Sequence, residues 1–234
     1  MSPTGQREKI TCKACGSEFY PGETGEKWQI EKEKLLLAEG TDAHRFLIYA
    51  CRAYEKSDVQ VIDFGGINDL SLFLKTLVEL GDFSKIKTLV VARDAETCVT
   101  SAIDSVKRSL ENIGLPTPAR PFEWCSNNTA KTAFILFPGP DGSGQCQPGT
   151  LEHLCLQTVA TDPLLKCVED FMQCAQGIQQ NNDRISHPWK SRLYAYLAGK
   201  DGHAGKRLSQ AAKDEVFPWD HSAIEPFKRI IQAM

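Results

Sequence analysis

Short apolar runs alternate along the first half of the chain with longer segments in which apolar residues recur every three or four positions. The apolar runs lie at 34–38, 59–64, 88–92 and 133–137. They have the length and composition of strands buried on both faces. The longer segments, whose spacing predicts amphipathic helices, lie at 42–54, 68–80 and 97–113. This succession predicts an α/β fold with a central parallel sheet and right-handed crossovers.

The last third of the sequence favours helices. The predicted helices lie at 151–158, 163–176, 188–199, 207–214 and 222–233. We therefore expect three parts: an irregular N-terminal extension over 1–28, an α/β core over 29–160 and a helical C-terminal part over 161–234. The segment 138–149 is rich in Gly and Pro and is the best candidate for a mobile loop or a boundary.

Composition narrows the function classes. The chain has 234 residues, a formal net charge of −3 and nine cysteines. That net charge does not indicate nucleic-acid binding over the whole protein surface, so any nucleic-acid-binding surface must be a local basic patch. No apolar run is long enough to cross a bilayer, and no secretory signal opens the sequence. We expect a cytoplasmic protein with reduced thiols and no membrane contact.

Five of the cysteines raise specific expectations. Cys12 and Cys15 form half of a zinc-ribbon pattern whose second half is missing, so a zinc site and unliganded thiols both remain open. Cys155, Cys167 and Cys174 fall on predicted helices among apolar neighbours, and we expect all three to be buried.

Carboxylates stand where two of the predicted strands end. Glu39 follows the first strand, and Asp94 and Glu96 follow the third. The carboxyl ends of parallel strands meet at one edge of a sheet, where sites form in open α/β folds. Carboxylates gathered there repel one another unless a cation neutralises them, and oxygen ligands suit Mg²⁺ or Mn²⁺. The alternative is that Glu39 and Asp94 are helix caps or solvated loop residues.

The order of these motifs resembles a known family. The motifs are Leu-Leu-Ala-Glu39-Gly40, Phe-Gly65-Gly66-x-Asn68, Val-Val-Ala-Arg-Asp94-Ala-Glu96 and Gly149-Thr-Leu-Glu152. The first and third resemble the two signature motifs of the Toprim fold, a Rossmann-like parallel sheet flanked by helices. All four in order resemble a family of small Toprim-like proteins related to the nuclease half of OLD-family (overcoming lysogenization defect) proteins. The resemblance covers roughly residues 34–230.

The resemblance implies metal-dependent cleavage of a nucleic acid. Glu39, Asp94 and Glu96 would bind the ion and take part in catalysis, and Glu152 would serve a second ion. The residues expected to line the site behind these ligands are Asp42, Gly65, Gly66 and Asn68. The chain departs from the family pattern at Glu96, which stands where an Asp is usual, and at Ala43, where related proteins often carry an acid.

A basic segment follows in the C-terminal part. Residues 184–213 hold seven lysines and arginines and one acid, Asp201. The segment is either a phosphate-binding face or a solvated helix surface. Its His-Pro-Trp-Lys190 stretch resembles the place where Toprim nucleases bring a lysine near the active site, which makes Lys190 a candidate transition-state cation. The residues expected to contact nucleic acid are Arg184, Arg192, Lys206 and Arg207.

Three functions remain open. The first is a Toprim nuclease acting on DNA or RNA, as the effector of an antiviral defence complex. The second is a non-catalytic Toprim-like subunit of a multiprotein complex. The third is a receiver-like domain with Asp94 as phospho-acceptor, although the acidic pair it needs after the first strand is missing. The sequence has no P-loop and OLD-type proteins carry an ATPase, so a separate ATPase partner is expected, and a homo-oligomer is open.

Overall fold

The computed structural model of the protein describes residues 10–11, 18–19, 29–178 and 185–234. Its strands are β1 (Ile10–Thr11), β2 (Glu18–Phe19), β3 (Lys34–Glu39), β4 (Val59–Gly65), β5 (Thr88–Asp94), β6 (Trp124–Ser126) and β7 (Lys131–Phe137). Its α-helices are α1 (Gly40–Ala53), α2 (Leu70–Val78), α3 (Val99–Glu111), α4 (Leu151–Thr158), α5 (Leu164–Ile178), α6 (Pro188–Ala198), α7 (Leu208–Lys213) and α8 (Glu225–Gln232). Short 3-10 helices lie at Phe83–Lys85 and Ser222–Ile224.

The central sheet has five strands in the order β4-β3-β5-β7-β6. The four longer strands are parallel, and β6 runs antiparallel to β7 at one edge. The predicted α/β fold with a Rossmann-like parallel sheet is therefore confirmed. The sequence did not predict β6, because three half-exposed residues are too few to show a periodic pattern.

Helices cover both faces of the sheet. By their contacts, α1, α4, α7 and α8 lie on one face and α2 and α3 on the other, as right-handed crossovers require. On the first face, Phe46 of α1, Phe137 of β7 and Phe227 of α8 form a cluster with ring centroids 6.0 to 6.4 Å apart. Both faces are thus buried, which explains why the parallel strands are continuously apolar in sequence.

The helical C-terminal part is also confirmed, with α5 packed on α6 and α6 on α4. Cys155 of α4 is buried as expected, but the predicted burial of Cys167 and Cys174 is wrong, because both thiols are exposed on α5. That helix has two apolar stripes, and only the one with Val168 and Met172 faces the core. Periodicity alone cannot say which of two stripes is buried.

Two segments outside the core need separate mention. The loop 138–149 contains an antiparallel bridge between Pro140 and Cys146 and ends at Gly149, which bonds back to the sheet edge. In the N-terminal extension, β1 and β2 pair antiparallel, while Cys12, Cys15 and Arg184 lie outside the described residues. Among the described helices, none has the length and apolar character needed to span a membrane.

Asp162 joins α5 to α6. Its carboxylate forms an ion pair with Lys200 and accepts hydrogen bonds from the Leu164 N–H and the Tyr196 hydroxyl, both at 2.9 Å. The pKa of Asp162 is lowered to about 2. Lys200 has the largest effect, followed by the Leu164 N–H and then the Tyr196 hydroxyl. These contacts hold α6, which carries Lys190, against the start of α5.

We predict that Asp162→Asn lowers the thermal unfolding midpoint at pH 7. Because the pKa of Asp162 is lower in the folded than in the unfolded protein, its stabilisation is present above its ordinary pKa of 3.8. That stabilisation is lost as the pH falls toward the folded-state value. Melts followed by circular dichroism should therefore show the gap between variant and wild type closing from pH 4 to pH 2. Asp201→Asn, at an exposed position, is the control; equal midpoints for all three proteins at pH 7 would contradict the prediction.

Candidate acidic site at the sheet edge

The strand order creates a switch point between β3 and β5. The chain leaves β3 toward β4 on one side and later returns to β5 on the other, so the two crossovers diverge at this edge. Ligand sites of open α/β sheets form outside the carboxyl ends of strands at such points. Glu39 is the last residue of β3 and Asp94 the last residue of β5. Two of the predicted site residues therefore terminate the strands that flank the switch point.

Asp94 is half-buried and lies among other carboxylates. Its Oδ1 accepts a hydrogen bond from the Leu151 N–H at 2.9 Å, so the side chain caps the start of α4. Burial raises the pKa of Asp94 well above its ordinary value, and the charges of Glu152, Glu39 and Glu96 raise it further. The Leu151 N–H acts in the opposite direction. Asp94 is thus a helix cap and also the centre of a cluster of negative charge.

Glu39 lies beside Arg93, a residue to which the sequence assigned no role. The Arg93 Nε is 3.3 Å from the Glu39 Oε2, and the two side chains are only 2% and 12% exposed. The angle at this contact is too poor for a hydrogen bond, so Oε2 is buried without a hydrogen-bond donor. Arg93 also donates to the Ser105 hydroxyl of α3 at 3.1 Å. Burial raises the pKa of Glu39, and Arg93 opposes that rise.

The two carboxylates straddle the edge of the sheet. Successive side chains of a strand point to opposite faces, so Arg93 reaches α3 on one face while Asp94 reaches α4 on the other. Glu39 follows the Ala38–Ala92 pair in register and lies on the Arg93 side. In the part of the chain that the structure describes, no three His, Cys, Asp or Glu side chains are grouped closely enough to hold an ion together.

Glu96 has an unusual backbone that a short bridge holds in place. Its φ is +53°, in the left-handed region that non-glycine residues rarely adopt. The Glu96 N–H donates to the Gly149 carbonyl at 2.9 Å, and the Gly149 N–H donates to the Glu96 carbonyl at 2.7 Å. Strained residues of this kind persist where their surroundings determine them and cluster at functional sites. The bridge fixes where the Glu96 side chain leaves the backbone.

Gly149 is itself required by its surroundings. Its φ is +144°, and an added Cβ would lie 2.6 Å from the His153 Nδ1 and 3.0 Å from the Pro138 Cδ. His153, next to Glu152 on α4, stacks on Trp189 of α6 with ring centroids 3.6 Å apart. The bridge at Glu96 is therefore supported from behind by α4 and, through Trp189, by α6.

Asp63 is a buried acid that the sequence interpretation missed. Its Oδ1 accepts from the Gly65 N–H at 2.8 Å and the Gly40 N–H at 3.1 Å, and its Oδ2 accepts from the Thr41 hydroxyl at 3.3 Å. The carboxylate thus joins the end of β4 to the first turn of α1, directly after Glu39. Its signal in the sequence was an acid inside an otherwise apolar strand.

The residues predicted to lie behind the ligands have different surroundings. Gly65 has φ +97°, and a Cβ there would meet the Asp69 Oδ2 at 2.5 Å, while the Gly66 N–H donates to the same oxygen at 2.7 Å. Asn68 is exposed, and α2 begins after Asp69. Asp42 accepts a hydrogen bond from the Ser209 hydroxyl at 3.1 Å, which ties α1 to α7.

Lys190 is exposed at the start of α6, on the same side of the helix as Tyr194 one turn later. Tyr194 is half-buried, and its pKa is raised by burial and then by the charges of Asp42 and Glu152, while Arg207 lowers it. The charges of Asp42, Glu152 and Arg207 therefore all reach the Tyr194 hydroxyl. Neither Lys190 nor Arg207 has a carboxylate within ion-pair distance among the described residues.

The rest of the basic segment is largely neutralised. Arg192 pairs with Glu169 at 2.8 Å, Lys206 pairs with Asp214 at 2.6 Å, and Lys200 pairs with Asp162. Three of the seven lysines and arginines in the segment are thus engaged in ion pairs within the fold. Within the described part of the segment, Lys190, Arg207 and Lys213 are the cations without an ion pair.

Comparison with known proteins places the chain in a family. A family model described as "Protein of unknown function (DUF3226)" matches residues 33–234. The chain belongs to the DUF3226 family. The matched region includes Glu39, Asp94, Glu96 and Glu152, the four carboxylates that we call the acidic edge. Searches of curated proteins and of solved structures found no match.

We predict that Arg93→Met costs about 3–5 kcal/mol of unfolding free energy, because it leaves the buried Glu39 carboxylate without its counter-charge. Adding Glu39→Gln to that variant should recover at least half of the loss, since the unpaired charge is then gone. Urea denaturation measures both. Lys34→Met, which breaks the exposed pair with Asp58, should cost less than about 1 kcal/mol. An Arg93→Met loss no larger than that of Lys34→Met would contradict the prediction.

We also predict that Gly149→Ala costs about 1–3 kcal/mol, because the strained φ and the contact with His153 must both be relieved. Gly142→Ala in the same loop should be close to neutral, since nothing lies within 4 Å of its added Cβ. The two variants are compared by urea denaturation. Equal stability for both would show that Gly149 does not constrain the bridge to Glu96.

Proposed function

We propose that the protein is a divalent-metal-dependent nuclease that cleaves phosphodiester bonds of DNA or RNA at the acidic edge. The observation that carries the proposal is the environment of Asp94. The carboxylate of Asp94 is half-buried, and burial together with the charges of Glu152, Glu39 and Glu96 raises its pKa well above the ordinary value. Perturbed carboxylates of this kind gather at functional sites, and a bound cation is the direct way to relieve their repulsion.

The chemistry of the four carboxylates at the acidic edge suits a hard divalent cation such as Mg²⁺. All the donors are carboxylate oxygens, and the Glu39 Oε2 is buried without a hydrogen-bond donor. Mg²⁺ is commonly held by one or two carboxylates together with waters and substrate phosphates, so a group of three protein ligands is not required. Asp94 with Glu39, Glu96 or Glu152 would hold it. Such an ion polarises a phosphate and lowers the pKa of a bound water.

The protein's own groups have distinct tasks in this proposal. Arg93 holds Glu39 at the edge, and the bridge to Gly149 aims Glu96. Lys190 and Arg207 supply positive charge for the phosphates of the substrate, since neither forms an ion pair with any residue that the structure describes. The resemblance of the motif order to Toprim-like and OLD-type nucleases supports the same reaction. A cytoplasmic location and an ATPase partner in a defence complex belong to the proposal as well.

A second candidate is a non-catalytic subunit of a multiprotein complex. The observation in its favour is the bond from the Leu151 N–H to the Asp94 Oδ1, which gives Asp94 a structural task in the absence of any ion. Under this hypothesis the acidic edge would serve assembly, and loss of the Asp94 charge would leave the biological output intact.

We predict that Asp94→Asn abolishes both ion binding and cleavage while the protein stays folded. The amide oxygen of Asn can still accept from the Leu151 N–H, but the anionic ligand is lost. Wild type should be stabilised by Mg²⁺ or Mn²⁺, by about 2.7 kcal/mol at an ion concentration a hundredfold above the dissociation constant. Asp94→Asn should show no such shift, measured by thermal unfolding with and without the ion.

Glu111→Gln, an exposed acid at the end of α3, is the matched control and should behave as wild type. Cleavage is assayed on single- and double-stranded DNA and RNA, with the candidate ATPase partner present and absent. Ion binding without cleavage in every combination would favour the non-catalytic subunit. A wild type that neither binds an ion nor cleaves any substrate would defeat the nuclease proposal.

A further inference from the structure

Helix α5 carries a second apolar stripe that no other described part of the chain covers. Val168 and Met172 face the core, whereas Phe171 and Ile178 are 58% and 77% exposed. The exposed Cys167 and Cys174 complete the stripe. Large exposed apolar side chains in a continuous row mark contact surfaces more often than isolated ones do.

The spacing of the stripe is that of a coiled-coil seam. Cys167, Phe171, Cys174 and Ile178 follow one another at intervals of four, three and four residues. This is the d-a-d-a order of a heptad repeat over a helix of 15 residues, about 22 Å long. A seam of this kind fits another helix with the same repeat.

The large and small side chains of the seam complement those of a second copy only when the two α5 helices run antiparallel. When two copies of α5 run antiparallel about a two-fold axis between residues 172 and 173, Phe171 meets the small Cys174 of the second copy. Ile178 then meets the small Cys167 of the second copy. Each layer pairs a large side chain with a small one, as close packing requires. A parallel pair would instead set Phe171 against Phe171 and Cys174 against Cys174.

Charge favours the same arrangement. Lys166, Glu169 and Asp170 all lie in the first half of α5, and residues 173–178 carry no charge. An antiparallel copy places the charged half of one helix against the uncharged half of the other, so that no acid faces an acid. Lys166 is already paired with Asp170, and Glu169 with Arg192, so the flanks attract neither a strongly acidic nor a strongly basic partner.

We propose that α5 forms a homodimer interface with a second copy of this chain, with the two helices antiparallel and Phe171 at the centre of the seam. The contact goes beyond the proposed nuclease activity and does not depend on it. Four side chains per helix make a small interface, so the dimer is weak and its population depends on concentration.

Cysteine cross-linking tests the register. Ile178→Cys, combined with Cys174→Ser, should form an intermolecular disulfide through Cys167 of the second copy under mild oxidation. Adding Cys167→Ser should abolish the product. The matched control combines Leu72→Cys with Cys174→Ser. Leu72 is 69% exposed and lies on α2, outside the seam. The control variant should therefore give no disulfide-linked dimer at the same protein concentration. Cross-links between two copies of Cys174 in wild type would point to a parallel pair and overturn the proposal.

Sedimentation equilibrium tests the energetics. Phe171→Glu should raise the dimer dissociation constant at least tenfold, because it buries a charge at the centre of the seam, while Leu72→Glu should leave it unchanged. A monomer at all concentrations with Cys167 and Cys174 freely reactive toward a thiol reagent would overturn the proposal. A monomer in which both thiols are protected would also overturn it, because another part of the same chain would then cover the stripe.

Discussion

Arg93 is a buried cation at the carboxyl end of an apolar sheet, and its charge is tolerated there because Glu39 lies beside it and Ser105 accepts one of its N–H groups. Removing an unpaired ion from water costs several kcal/mol, so Glu39 offsets the cost of burying Arg93 where β3 and β5 end. The Arg93 side chain thereby fixes the position of the Glu39 carboxylate. The ion pair therefore links the packing of the sheet edge to the position of one of its acids, Glu39.

Around that pair, the fold holds more negative charge than it neutralises. Arg93 supplies one positive charge near Glu39, while the charges of Glu39, Glu96 and Glu152 all act on Asp94. The backbone at Glu96 is strained, and two hydrogen bonds to Gly149 maintain it. The bridge thus keeps Glu96 close to Asp94, so that its charge adds to the rise in the pKa of Asp94.

The sequence predicted the strands, their parallel arrangement and the position of Glu39 and Asp94, because continuous apolar runs and their polar ends are local features. It did not predict the ion pair of Arg93, because the neighbour of β5 depends on strand order, which no local pattern encodes. Asp63 was overlooked for a related reason: its partners Gly40 and Thr41 are far away in sequence. The exposure of Cys167 and Cys174 depends on which stripe of α5 meets α6. Apart from the short strand β6, each miss concerns a contact between elements and not the elements themselves.

The capping bond of Asp94 separates the two candidate functions on physical grounds. A helix start needs only one acceptor oxygen, and neutral Asn or Ser supplies it as well as Asp does. A half-buried carboxylate in that position, acted on by the charges of Glu39, Glu96 and Glu152, adds the cost of partly desolvating a charge and of repulsion from three others. A structural cap does not require that cost. Under the proposed metal-dependent function, a cation shared by Asp94 and a neighbouring carboxylate would offset the repulsion, while the other oxygen of Asp94 would continue to cap α4.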